Sequence, residues 1–200
     1  MADRTATPSQ PGREVAVRAL AAGKLLVAAR SLPDPNFAES VVLLIQYSPD
    51  GAAGLVLNRQ SDVPLSNVLP GVVQDPAAGA AFVGGPVSPT SVLALSRIAC
   101  GACPRVGADV YLVNTPDALR ERLATRADTQ DVRVFLGYAG WGGGQLEAET
   151  RTGAWHVLDS DARFVFDREP ESLWRRAIRR SEAVLALAAP LADRRNDAGS

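Results

Sequence analysis

An α+β fold is what the sequence predicts, and three observations predict it. Eight short apolar runs are separated by turn signals, the pattern of many short strands. Helical spacing is confined to a few stretches, two of them well developed. The two kinds of element do not alternate strictly, which favours α+β over a doubly wound sheet. A chain of 200 residues, 46% hydrophobic and 22% charged, is long enough for one domain with a sizeable core.

Residues 1–13 are polar and rich in proline and threonine, and they read as a disordered tail. Residues 192–200 read the same way, which leaves a single domain over 14–191. Its first strand, Leu25–Ala29, follows Lys24, the chain's one lysine. Pro33-Asp-Pro35 forces an extended turn, and Phe37 is placed to plug the core before the strand Val41–Tyr47. Asp50-Gly51 suits a hairpin into Leu55–Leu57. Asn58 ends that strand, where its amide can satisfy loose backbone groups.

A helical turn at Leu65–Leu69 is stopped by Pro70-Gly71. The strand Ala81–Val83 ends in the bend Gly84-Gly-Pro86. Val92–Ser96 and Val110–Val113 follow, with Pro104-Arg-Val-Gly107 reading as a loop between them. Thr115 caps a helix through Leu123, with Pro116 and Asp117 in its first turn. Strands Val132–Leu136 and Ala154–Leu158 flank a glycine corner. In the last helix, Pro170–Arg180, Leu173, Trp174, Ala177 and Ile178 share one face. Several strands are apolar at successive positions, as strands covered on both faces are.

The glycine corner places five glycines between Gly137 and Gly144 and then a short helix from about Gln145. A phosphate-binding P-loop needs a lysine and a hydroxyl residue after its last glycine, and here Gln145-Leu146 stand there. A dinucleotide fingerprint fails at its third glycine. Glu147 and Glu149 would repel a phosphate from the helix start. The corner therefore reads as a place where the backbone bends and packs.

Four blocks carry a resemblance. They are Leu32-Pro-Asp-Pro-Asn-Phe-Ala-Glu-Ser-Val-Val-Leu-Leu44, Gly51-Ala-Ala-Gly-Leu-Val-Leu-Asn-Arg59, Gly84-Gly-Pro-Val87, and Gly137-Tyr-Ala-Gly-Trp141 with Gly144-Gln-Leu-Glu147. Trp155 and Trp174 follow in order. On these residues the chain resembles the YqgE/AlgH family of bacterial proteins over about residues 20 to 180. The resemblance implies a mixed, bifurcated sheet curled into a pseudo-barrel and flanked by helices. It implies no settled biochemical activity; the family's regulator label comes from a member linked to alginate production.

Three strands end in glycine or asparagine corners. If those ends converge, Asn58, Gly85, Tyr138, Trp141 and Gln145 rim a shallow groove for a ligand or a partner segment. Other chemistry is thinly signalled. Cys100-Gly-Ala-Cys103 lacks a second pair for zinc and a following helix for redox work, and it reads as a loop with incidental thiols. His156, the chain's one histidine, has no G-x-S-x-G elbow to serve, and Ser40 reads as a strand entrance. Asp159-Ser-Asp161 lacks the EF-hand spacing. Arg175, Arg176, Arg179 and Arg180 form a basic helix face with Glu169, Glu171 and Glu182 close by, the pattern of a solvated surface.

The net charge of −1 and pI near 5.9 count against a broad nucleic-acid surface. With no secretory h-region and no apolar run of spanning length, the expected location is the cytoplasm, the cysteines reduced. The expected function is regulatory or adaptor binding of a protein partner or small ligand, without a cofactor. The alternatives are a hydrolase of a small or nucleotide-like substrate with Glu147 or Glu149 as base, and a transcriptional regulator contacting DNA.

Overall fold

The computed structural model describes residues 11–73, 78–101, 103–124 and 131–188. Strands β1 (Lys24–Ala28), β2 (Val41–Ser48) and β3 (Gly51–Val56) form an antiparallel meander, and β4 (Gln60–Pro64) and β5 (Ala80–Val83) pair beside it. A second wing holds β6 (Val87–Ser96), β7 (Arg105–Gly107) and β8 (Val110–Val113). Strand β9 (Val132–Gly142) joins the wings, and β10 (Trp155–Asp159) pairs with β1 at the far edge. The helices are α1 (Pro11–Arg18), α2 (Leu65–Val68), α3 (Pro116–Ala124), α4 (Gln145–Thr152), α5 (Ala162–Val165) and α6 (Pro170–Ala188).

The sheet runs β10-β1-β2-β3-β9-β6-β8-β7 and curls into a half-barrel flanked by helices. It divides along β9. The end of β9 pairs with β3, from Gly54↔Ala139 to Gly51↔Gly142. Its middle pairs in parallel with β5, Phe82↔Phe135 and Val83↔Leu136, while β6 follows its other edge. At the fork the Gly84 amide donates to the Leu136 carbonyl (2.8 Å), and the Gly84 carbonyl accepts from Val56 (2.9 Å). The sheet is therefore mixed and bifurcated, as the sequence resemblance implies.

That fork is possible because its backbones touch. A Cβ at Gly85, where φ is +154°, would fall 2.2 Å from the Tyr138 carbonyl carbon. One at Gly137, with φ +68°, would fall 2.6 Å from the Gly85 oxygen. No side chain fits such gaps.

Residues Leu25–Ala28 and Val41–Leu44 are fully buried, since the sheet's curl covers one face and α6 the other. Helix α6 contributes Leu173, Trp174, Ala177 and Ile178 to the main core, and the Trp174 indole donates to the Ala28 carbonyl at 2.8 Å. Burial of Leu173 and Ile178 contributes on the order of 1.5–3 kcal/mol each. A smaller cluster of Leu65, Ala81, Ala94, Val113, Leu119, Val132 and Val134 fills the other wing.

Several elements differ from the sequence expectation. Helix α1 begins at Pro11, inside the stretch read as a tail, while residues 1–10 and 192–200 lie outside the described residues. Pro104–Gly107 contains a strand where a loop was expected, because Arg105 and Gly107 find ladder partners in Tyr111 and Val110. Strand β9 continues through the first glycines of the corner, where β3 supplies ladder bonds that need no side chain.

His156 lies opposite Val27 in the β1–β10 ladder, half-buried. Burial pushes its pKa below the usual 6.5, against a weaker opposing pull from Glu182. The unfolded chain therefore takes up the proton first. Stability is full above pH 6.5 and falls as pH drops through that value toward the folded pKa. Asp159, Asp161, Asp167 and Glu182, held low in the folded protein, lose their contributions only further into acid. The denaturant midpoint should be lower at pH 5.5 than at pH 7.5, and His156→Gln should remove that difference. A difference that survives the substitution would assign it to another group.

Candidate functional site

The loop 31–37 and helix α4 face each other across a groove of about 670 Å³. Its floor is aromatic. Phe37 stacks on Trp141 with centroids 5.8 Å apart and planes at 23°, and it meets Trp155 edge-on at 5.7 Å. The two indoles are 6.0 Å apart at 81°. Such pairs add roughly 0.5–1.5 kcal/mol each beyond burial.

Glu149 ties this floor to the helix. Its Oε2 accepts from Nε1 of Trp141 (3.0 Å) and of Trp155 (2.8 Å), and its Oε1 accepts from Nε2 of Gln145 (2.8 Å). Gln145 in turn accepts from the Gly142 amide through Oε1 at 3.1 Å. The chain of bonds runs from the end of β9 through the first turn of α4 to β10. A neighbouring carboxylate, Glu147, accepts from the Tyr47 hydroxyl at 2.6 Å, which helps to push that phenol up to about 12.

The local fold follows from the corner's small residues. Gly144 takes φ +74° as the residue before α4, and Gly143 passes so close to Pro49 that a Cβ would lie 2.9 Å from its carbonyl oxygen. Because Gln145 folds back onto Gly142, a side chain already uses the amide that would otherwise lead an anion cradle. On the other wall, Asp34 Oδ1 accepts from the Asn36 amide at 2.7 Å and tightens the loop. Asn58 and Arg59 hold the loop from behind. Asn58 accepts from Val41 N and donates to the Glu39 carbonyl, both at 2.9 Å, and Arg59 donates to the Ala38 carbonyl at 3.1 Å.

Of the five residues expected to rim one groove, Trp141 and Gln145 line this cavity. Tyr138 lines a separate one of about 380 Å³ with Gln46 and Val87, bordered also by Trp141. Asn58 is engaged behind the loop, and Gly85 lies in the backbone crossing. The five do not converge on one cavity. Phe37 stands in the groove floor rather than only plugging the core, while Glu149 and Trp155 come from a helix and a strand with no shared periodicity. In the sequence Phe37 reads as a core plug within the first family block, Glu149 only as a possible base, and Trp155 is marked only by its place in the family order.

The remaining candidates resolve locally. Cys100 and Cys103 are joined as a disulfide with Cα atoms 5.2 Å apart, where reduced thiols were expected. A turn, with Cys103 N donating to the Cys100 carbonyl at 3.0 Å, brings them together against the smaller core. Among the described residues no group of three His, Cys, Asp or Glu side chains could hold a metal ion. Asp159 pairs with Lys24, and Asp161 caps α5 by accepting from Arg163 N at 2.8 Å. On α6, Arg176 pairs with Asp167 at 2.7 Å and Arg180 lies over the Phe164 ring, while Arg175 and Arg179 are exposed. No helix among the described residues is long and apolar enough to cross a membrane.

Residues 25–186 match the family model described as AlgH-like, DUF179. The chain belongs to the AlgH-like family. It is 40% identical to a UPF0301 protein of Streptomyces avermitilis over 185 residues, spanning 86% of this chain and 92% of the relative. A UPF0301 protein of Mycobacterium avium is 34% identical over 195 residues, 91% of this chain and 94% of the relative. Among solved structures, the chain is similar to AlgH of Pseudomonas aeruginosa in solution, with TM-score 0.64 at 29% identity over 98% of this chain and all of that one. It is also similar to protein DIP2367 of Corynebacterium diphtheriae, with TM-score 0.65 at 30% identity over 80% of this chain and 87% of that one. In this AlgH-like chain the four sequence blocks meet in space. Asn58 and Arg59 hold the loop of the first block, whose Phe37 stacks on Trp141 of the fourth, while Gly85 and Gly137 bring the third against the fourth.

Proposed function

We propose that this AlgH-like protein is a non-catalytic regulatory or adaptor protein of the cytoplasm, in which the domain at residues 14–191 binds a partner segment or small ligand in the groove between loop 31–37 and α4. The observation that carries this reading is the bonding of Glu149. Its carboxylate already accepts from three side-chain N–H groups, so it acts as a brace for the groove wall and is poorly placed to act as a general base. Glu147 is likewise engaged by Tyr47. A rigid aromatic floor with polar groups along one side is the usual make-up of a recognition groove. In this reading any transcriptional effect passes through the bound partner or ligand, not through DNA contact.

Trp141 and Trp155 make the groove report on itself. A screen of metabolites and peptides by tryptophan emission and thermal shift should find a saturable ligand, and a photo-crosslinker at the exposed Asn36 should join to it. Asn36→Arg, at the loop's outer edge, should weaken that binding at least about tenfold, since it sets a long charged side chain in the groove mouth. Binding left untouched by Asn36→Arg would remove the groove from the account.

A further inference from the structure

Among the described residues the most deeply set charge lies away from the groove. Arg133, on β9, is 8% exposed. Its Nη1 donates to the Leu57 carbonyl at 3.2 Å and its Nη2 to the Asp167 carbonyl, and the guanidinium stands 4.6 Å from the centre of the Phe82 ring. Among the described residues it forms no ion pair with a carboxylate. Asp167, the acid that acts on it most, gives its Oδ1 to Arg176 at 2.7 Å and to the Glu169 amide at 2.8 Å. A buried guanidinium is ordinarily matched by an opposite charge, because carbonyl dipoles and a ring face only partly replace its hydration.

Arg133 borders a cavity of about 290 Å³ whose other walls include Phe82, Phe166, Val134 and Gln60. Asp167 and Arg168 line it too, and Arg97 sits over the Phe166 ring at 4.6 Å, paired with Asp131. Asp167 is matched by Arg176, which leaves Arg133 a buried cation without a carboxylate partner among the described residues. Burial pushes the Arg133 pKa down to about 10, which leaves it cationic at neutral pH.

We propose that this cavity is a binding site for a small organic carboxylate, its head on the Arg133 guanidinium and its apolar body between Phe82 and Phe166. The flat fork of a guanidinium suits a carboxylate, and two phenyl walls suit an apolar body. The small volume limits the ligand to about the size of a single ring with its acid group. The site lies on the far part of β9 from the groove and stands independently of the function proposed for it.

Benzoate is the probe, with inorganic phosphate and chloride as comparisons, titrated calorimetrically and by thermal shift at low ionic strength. The wild-type protein should take up benzoate saturably and melt several degrees higher, with no such rise in matched chloride. Arg133→Met should abolish the rise. Arg133→Lys, which keeps the charge and loses the fork, should need roughly tenfold more benzoate, and it serves if the methionine variant does not fold. No saturable uptake by the wild-type protein would overturn the proposal. So would an equal response in wild type and Arg133→Lys, or saturation by phosphate with none by benzoate.

Discussion

Replacing Glu149 by leucine should destabilise the protein by roughly 3–5 kcal/mol, the largest single side-chain effect expected around the groove. Two indole N–H groups at 5% and 3% exposed residues, Trp141 and Trp155, would lose their acceptor together. A buried donor left without a partner costs about 1–3 kcal/mol, and Gln145 would lose its tether as well. In a chain of this size that corresponds to a fall in Tm of roughly 10 °C. Glu149→Gln retains one carbonyl acceptor and should fall about halfway between. Tryptophan emission and near-UV circular dichroism should change in both variants, since the indoles are the groups released. A catalytic base behaves differently, because its removal commonly leaves stability unchanged or improved. If Glu149→Leu melts within a degree of the wild-type protein, the brace assigned to this carboxylate is not there.

Gly85→Ala should be worse still, at more than about 4 kcal/mol, with little soluble protein recovered. The added methyl would stand 2.2 Å from the Tyr138 carbonyl carbon and 2.3 Å from Ala139 N. Neither neighbour can yield, because Val87↔Tyr138 and Gly54↔Ala139 pair β9 on both sides at that point. Gly144→Ala is the matched control. Its φ is +74°, but nothing lies within 4 Å of the new Cβ, so only backbone strain of about 1 kcal/mol is incurred. Soluble yield and urea midpoints for the pair separate close backbone approach from conformational strain. Equal behaviour of the two variants would refute the close-approach account of the fork.

The α+β class and the family were legible in the sequence, and particular residues show why. Thr115 caps α3 through its hydroxyl, which accepts from Ala118 at 3.3 Å, a contact between near neighbours in the chain. The face of α6 follows from helical spacing, and Leu173, Trp174, Ala177 and Ile178 are all buried. Strand β7 was not legible, since three residues led by an arginine have no period to read. The site was legible only in part. Trp141 and Gln145 face the groove, while Asn58, read as an end-of-strand acceptor and also as a groove residue, serves the backbone alone.

What the sequence determined by itself is whatever its neighbours along the chain enforce: periodicity, caps, turns, and the glycines that permit bends. Only the tertiary structure decided that Phe37, Trp141, Glu149 and Trp155 form one wall, and that Arg133 is buried without a matching acid among the described residues. Those facts depend on which groups meet across the sheet. A side chain chooses its partner by distance and direction in space, and a linear order of residues contains neither until the sheet has curled.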